Sequence, residues 1–428
     1  MNKEQKDLVP PQPELGGGNE QDYIFAEYYV SSPSGRDVMD LARRFAVGQT
    51  VGTWMELPGL TAEIRARHQG QVVDVLELPP RRDAGGGVSE YLLQVAYPWR
   101  NFDDSISMLF TTLIGNDTST ALPVKLVDLT FPEAYARQFP GPRYGLAGWR
   151  QLAGVSERPL VLNMIKPCVG LSPAEGAAIF YETALGGVDF IKDDELLGDT
   201  SFSPLEERTK AYVAAARRAE EETGKRVHYV ANVTGRPERL KERARRAVAA
   251  GAGAVMVNWL FTGPDALVDL VADGEINVPV LAHCAGTGLY LDSLAGGVAS
   301  RVLFGRLARL AGADAVIFCT PMSGGGITKS EFLKTAHYLR SPHSCHRPSL
   351  PVVGGGATPG QLPVIAGDIG LDVMIAAGGA VQGHPMGAKA GAKAMMAAAE
   401  AVARGLSLAE VQKESPELAA ALQLWGGL

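Results

Sequence analysis

From residue 160 onward, short apolar runs alternate with longer stretches rich in Ala, Glu, Arg and Leu. The runs are LVLNMIKP, DFIKDDE, VHYVANVT, AVMVNW, VPVLAHC, AVIFCT, LPVVGGG and VMIAAGG. An uninterrupted apolar run suits a strand covered on both faces, and the stretches between suit helices. The spacing of about 20 to 40 residues is that of βα units, and eight of them predict a closed (β/α)8 TIM barrel. Residues 22–140 follow another pattern. FAEYYV, QVVDVLEL and YLLQVAYPW read as strands, residues 35–46 read as a helix, and SMLFTTLIGN is an apolar run ending in a turn. An α+β, ferredoxin-like domain is expected there. The Pro- and Gly-rich FPGPRYGLAGWRQL marks the boundary. The expected fold class is therefore α/β, with an N-terminal α+β domain at 22–142 and a barrel at 143–428, after a mobile polar tail at 1–21.

Composition narrows the context. Hydrophobic residues make up 46% of the 428 and charged ones 20%, which supports extensive cores. Forty basic against 47 acidic residues give a net charge of -7, so no electrostatic footprint for nucleic acid exists. The tail has no apolar segment of a signal peptide, and no run reaches the ~18 residues of a membrane span. Cys168, Cys284, Cys319 and Cys345 lack zinc-site spacing, and a reduced cytoplasm is expected.

The chemistry concentrates where strands should end. In GGVDFIKDDE, residues 186–195, an apolar run finishes in one lysine and three carboxylates. Alternation puts Lys192 and Asp194 on one face and Asp193 and Glu195 on the other, unless a turn swings Glu195 back. Two carboxylates beside a lysine describe a site for an oxygen-preferring cation such as Mg2+; a solvated charged turn is the alternative. Lys166, Asn232, Asn258 and His283 also fall at strand ends, on the rim where this fold carries catalysis. The last two strands end in Gly354, Gly355 and Gly356 and in Gly378 and Gly379. Such loops either bind one phosphate through backbone N–H groups or are tight turns.

GGVDFIKDDE, NMIKPCVGLS, SMLFTTLIGN, VGTW, the glycine strand ends and GHPMG, in this order-preserving set from about residue 22 to 405, resemble the RuBisCO large chain and the RuBisCO-like (form IV) proteins. The resemblance implies that Lys192 is carbamylated by CO2 and, as the carbamate, ligates Mg2+ with Asp194 and Glu195. It implies a proton-handling role for Lys166 and substrate contact for His283. Thr53 and Trp54 would line the phosphate and Asn116 would reach the substrate, all three lent by a second subunit, so a homodimer or an assembly of dimers with shared active sites is expected.

Departures from the family are as informative. Cys284 stands where RuBisCO has an arginine for a second phosphate, Ile317 stands near its strand-six histidine, and Gly354 replaces a serine. Cys168 replaces a lysine, and Lys329 in TPMSGGGITK is displaced from the loop lysine that polarises CO2. These losses argue against ribulose bisphosphate carboxylation and for a singly phosphorylated substrate. The remaining set supports enediolate formation from a monophosphorylated oxo-sugar acid or ketose. The favoured outcome is a decarboxylase or transcarboxylase-type reaction. The alternatives are an enolase or isomerase of methionine salvage, acting on diketo-methylthiopentyl phosphate or methylthioribulose phosphate, and a non-catalytic metabolite-binding regulator. The enolases of the family rely on an extra N-terminal-domain lysine, and none occurs in GND at 115–117.

Overall fold

The computed structural model describes residues 19–426, except positions 54, 56, 80–86, 121, 292, 294–295, 324–326 and 343. Most of the expected tail, residues 1–18, lies outside the described residues, as does Trp54. The chain forms two compact units, residues 19–139 with 287–307, and residues 140–286 with 308–426.

In the first unit, β1 (Tyr23–Pro33), β2 (Gln71–Glu77), β3 (Val88–Pro98) and β4 (Val124–Thr130) lie in the order β4-β1-β3-β2. All three pairings are antiparallel. One main helix, Val38–Gly48, follows β1, and another, Ile106–Ile114, follows β3, which is the ferredoxin-like βαββαβ order. Alternation in β1 buries Ile24, Ala26, Tyr28 and Val30, and the Tyr28 ring meets Phe45 of the first helix edge-on at 5.1 Å. The run SMLFTTLIGN supplies the second helix. Ser105 caps it by accepting from the Met108 N–H at 3.1 Å.

In the second unit the eight apolar runs are the eight barrel strands. Five come first: β5 (Leu160–Met164), β6 (Phe190–Lys192), β7 (His228–Asn232), β8 (Ala254–Val257) and β9 (Val280–Ala282). After β9 the chain leaves the barrel to form β10 (Gly297–Val298) and returns for β11 (Ala315–Cys319), β12 (Leu350–Gly354) and β13 (Met374–Ala377). The closed order is β5-β6-β7-β8-β9-β11-β12-β13, every pairing is parallel, and β13 closes on β5. Alternate residues of these strands fill the interior. Leu162, Phe190, Val230, Met256, Leu281, Ile317, Val352 and Ala376 belong to one buried cluster, into which Trp149 packs with its ring 4.9 Å from Phe190.

The excursion after β9 departs from the expected organisation, which placed all of residues 143–428 in the barrel domain. β10 pairs in parallel with β4, and residues 287–307 belong to the first unit. Lys125 Nζ donates to the Leu291 and Ser293 carbonyls at 2.9 and 2.6 Å, and Arg306 Nε lies 3.2 Å from Asp128 Oδ1. The free edge of β4 needs backbone partners, and this segment supplies them.

Candidate active site

The inward register of the barrel predicts its own rim. Two residues beyond each inward-facing apolar position listed above lie Met164, Lys192, Asn232, Asn258, His283, Cys319, Gly354 and Gly378. Side chains on one face of a strand recur every second residue, so the packed interior continues upward into a layer where Lys192, Asn232, Asn258 and His283 are polar and the two glycines leave room.

Strand β6 stops at Lys192, and residues 195–196 turn. The turn brings Glu195 back: its Oε2 lies 3.7 Å from Lys192 Nζ and 3.3 Å from His283 Nε2. The Lys192 side chain is 0% exposed and donates to the Asp193 carbonyl at 2.9 Å. Burial pulls its pKa down, against the pull of Glu195, Asp194 and Asp193. Burial thus eases formation of the neutral amine, the form that attacks CO2. His283 Nδ1 accepts from the Ala285 N–H at 3.0 Å, so a neutral ring carries its proton on Nε2 and donates it to Glu195. Burial, aided by the Lys192 charge, holds the His283 pKa well below the ordinary value.

Lys166 completes the group. Its Nζ donates to Asp194 Oδ2 at 2.5 Å and to Cys168 Sγ at 3.0 Å. Burial alone would lower the Lys166 pKa; the bonds to Asp194 and Cys168 overcome it and raise the pKa. Burial would likewise raise that of Asp194, but the Lys166 bond, the Leu196 N–H and the lysine charges bring it below the usual carboxylate range.

Asp193, grouped in the sequence with its neighbours, turns away from them. Its Oδ2 accepts from Tyr229 Oη at 2.6 Å, the Asn232 N–H at 3.0 Å and Arg208 Nη2 at 3.1 Å. Arg208 comes from the helix Leu205–Thr223 and is buried; it also donates to the Ser203 and Gly198 carbonyls. Asn232 Nδ2 donates to the Asp194 and Glu195 carbonyls, each at 3.2 Å, and Asn258 Nδ2 to the Glu195 carbonyl at 3.0 Å. The turn carrying the two carboxylates is thus held by the ends of the next two strands, β7 and β8. Arg208 was not singled out from the sequence, because its helix reads LEERTKAYVAAARRAEEET, an apparently solvated surface.

The glycine strand ends leave space of two kinds. Gly355 and Gly356 have φ of +87° and +85°, a conformation side chains disfavour, and both are exposed. A Cβ on Gly378 would stand 3.2 Å from Lys166 Cε, a tight contact that would push the lysine aside by a few tenths of an ångström. Gly354 ends β12 and Gly379 opens the short helix Gly379–Gln382. Thr53 and Asn116 belong to the first unit, where Thr53 Oγ1 accepts from the Met55 N–H at 3.0 Å and Asn116 starts the helix Asn116–Thr120. Lys329 Nζ lies 2.8 Å from Asp368 on an exposed helix start.

Among the described residues no three His, Cys, Asp or Glu side chains form a ready-made metal site. Asp194 and Glu195 flank an amine, and that amine becomes a third anionic oxygen donor once it carries CO2. This donor set, hard and all-oxygen, suits Mg2+.

Similarity to known proteins agrees with this geometry. Residues 145–425 match the family described as ribulose bisphosphate carboxylase large chain, catalytic domain, and residues 17–135 match its N-terminal domain. The ribulose bisphosphate carboxylase-like protein of Archaeoglobus fulgidus is 39% identical over 414 residues, 95% of this chain and 94% of the relative. The 2,3-diketo-5-methylthiopentyl-1-phosphate enolase of Geobacillus thermodenitrificans is 38% identical over 401 residues, 92% of this chain and 96% of the relative. The crystal structure of a RuBisCO-like protein (MtnW) from Alicyclobacillus acidocaldarius superposes with a TM-score of 0.87 at 36% identity, covering 95% of this chain and all of the other. With both domains matched and a full-length likeness to RuBisCO-like proteins, the chain belongs to the ribulose bisphosphate carboxylase large-chain family, as one of its RuBisCO-like, form IV members.

Proposed function

We propose that this protein is an enzyme that enolises a singly phosphorylated dicarbonyl compound of the kind named in its enolase relatives, a 2,3-diketo-1-phosphate. The observation that carries the reading is the convergence of a buried Lys192, its pKa lowered by burial, with Asp194, Glu195 and the partly exposed Lys166 on one rim. Lys192, carrying CO2 as a carbamate after its amine gives up a proton, would hold Mg2+ together with Asp194 and Glu195. The cation, when bound, supplies Lewis-acid polarisation of the substrate carbonyl oxygens. With Asp194 turned to the cation, Lys166 loses the partner that raises its pKa here, and as the neutral amine it removes the proton from the carbon beside the carbonyl. Asn232 and Asn258 keep the turn from shifting, and His283 orients Glu195 through its Nε2–H.

The backbone N–H groups around Gly354, Gly355 and Gly356 and around Gly378 and Gly379 bind the single phosphate. Thr53, Trp54 and Asn116 of a second copy complete the pocket, making the working form a homodimer or an assembly of dimers. Loss of CO2 from a monophosphorylated oxo-sugar acid would use the same residues. The missing lysine at 115–117 keeps this reading open, and it ranks second because the relatives at 38% identity are named enolases.

The experiment is proton exchange in D2O with Mg2+ and bicarbonate, followed by 1H and 31P NMR. Exchange and enol formation from a 2,3-diketo-1-phosphate, absent in Lys166→Ala, is the expected result. CO2 release from oxo-sugar acid phosphates without diketone turnover favours the second reading. Tight binding with neither reaction would refute both and leave a metabolite-binding regulator.

A further inference from the structure

Among the described residues Lys166 has two side-chain partners, and the proposed reaction takes one of them away. Asp194 Oδ2, at 2.5 Å from Nζ, belongs to a carboxylate proposed above to hold the cation. A carboxylate that gives its oxygens to a divalent ion no longer holds the lysine as it does here. The remaining side-chain partner given by the structure is Cys168 Sγ at 3.0 Å, two residues along the same strand end.

The surroundings leave that pair little else to do. Lys166 crosses Gly378, where a Cβ would meet its Cε at 3.2 Å and the Met164 methyl at 3.4 Å, so the stem lies in a slot with the amine at its mouth. The Lys166 side chain is 35% exposed, and without an anchor its four-carbon stem would sample many rotamers. A thiol suits the anchoring task. Sulfur is a weak acceptor and the thiol a weak donor, so it can direct either an ammonium or an amine without tying it as strongly as a carboxylate does. A lysine here, as in the resemblance drawn from sequence, would set a second ammonium beside the first.

We infer that Cys168 is a positioning residue: it holds Lys166 Nζ at the reacting carbon once Asp194 has turned to the cation. The inference rests on the function proposed above.

The test compares the full-length protein with Cys168→Ala and Cys168→Ser. The first measurement needs no substrate: the rate at which trinitrobenzenesulfonate labels Lys166, read by peptide mass, with and without Mg2+ and bicarbonate. Without them Asp194 holds the lysine in every variant, and the rates should agree within about twofold. With them, Cys168→Ala should label several-fold faster than wild type, and Cys168→Ser should return towards wild type. The second measurement is turnover. Cys168→Ala should lower kcat by about 10- to 100-fold, the range expected when a catalytic group is misplaced by about an ångström, with KM little changed and with recovery in Cys168→Ser.

A response to Mg2+ and bicarbonate that is identical in wild type and Cys168→Ala overturns this role alone. No response in any variant, with no Mg2+ bound by calorimetry, overturns the cation assignment and this role with it. A rise in KM at unchanged kcat would instead make Cys168 a substrate contact.

Discussion

The pair Asp193 and Arg208 should be the most sensitive point of the barrel to a single substitution. Both side chains are 0% exposed, with Arg208 Nη2 and Nε 3.1 and 3.3 Å from Asp193 Oδ2. Arg208→Met removes the cation and leaves Asp193 buried with only Tyr229 Oη and the Asn232 N–H as donors. It also frees the Ser203 and Gly198 carbonyls. Breaking one partner out of a buried ion pair costs about 3–5 kcal/mol. Asp193→Asn combined with Arg208→Met removes both charges, and the lost desolvation burden should restore roughly 2 kcal/mol of that. Equilibrium urea denaturation of the three variants, followed by far-UV circular dichroism, measures both quantities. An Arg208→Met protein within about 1 kcal/mol of wild type, or a double variant no more stable than the single one, would refute the ion-pair account.

Three further outcomes follow from the site and its surroundings. Lys192→Ala should abolish Mg2+-dependent proton exchange and the 13C NMR carbamate signal from labelled bicarbonate; because it empties a buried site it should also lower the melting temperature, so Lys192→Met is the volume-matched control, and retained turnover in it would refute the carbamate assignment. Gly378→Ala should lower kcat by about tenfold or more through displacement of Lys166, at little cost in stability because its φ of -99° suits any residue; unchanged kcat in steady-state assays would show that the slot is roomier than described. Burial, reinforced by the Arg226 charge, depresses the pKa of His228, so below about pH 6.5 the unfolded chain binds a proton that the folded one resists. Stability should therefore fall as pH drops from 7 to 5, and urea midpoints of His228→Gln should fall less, by up to ~1.4 kcal/mol per pH unit.

How much of this was legible from the chain depends on how far the partners lie apart. The eight barrel strands could be read because a strand covered on both faces is written as a continuous apolar run. The convergence of Lys192, Asp194 and Glu195 followed from two-residue alternation plus one turn, both local. SMLFTTLIGN showed only as an apolar run, since a short apolar segment has no periodicity that separates helix from strand; the Ser105 cap was the usable signal. Arg208 was missed although it lies on the buried stripe of its helix with Leu205, Tyr212, Ala215 and Ala219; a charge on such a stripe reads as its solvated border until the distant partner, Asp193, is known. β10 was equally hidden: two residues carry no pattern, and its partner β4 lies more than 150 residues earlier.

That borrowed strand has a bearing on how the protein is made and truncated. Ribosomal synthesis delivers β1 to β4 long before residues 297 and 298 emerge, so the amino-terminal sheet waits with an incomplete border while five barrel strands are translated. A gene fragment ending at residue 142 would keep that border permanently raw and prone to pair with other chains.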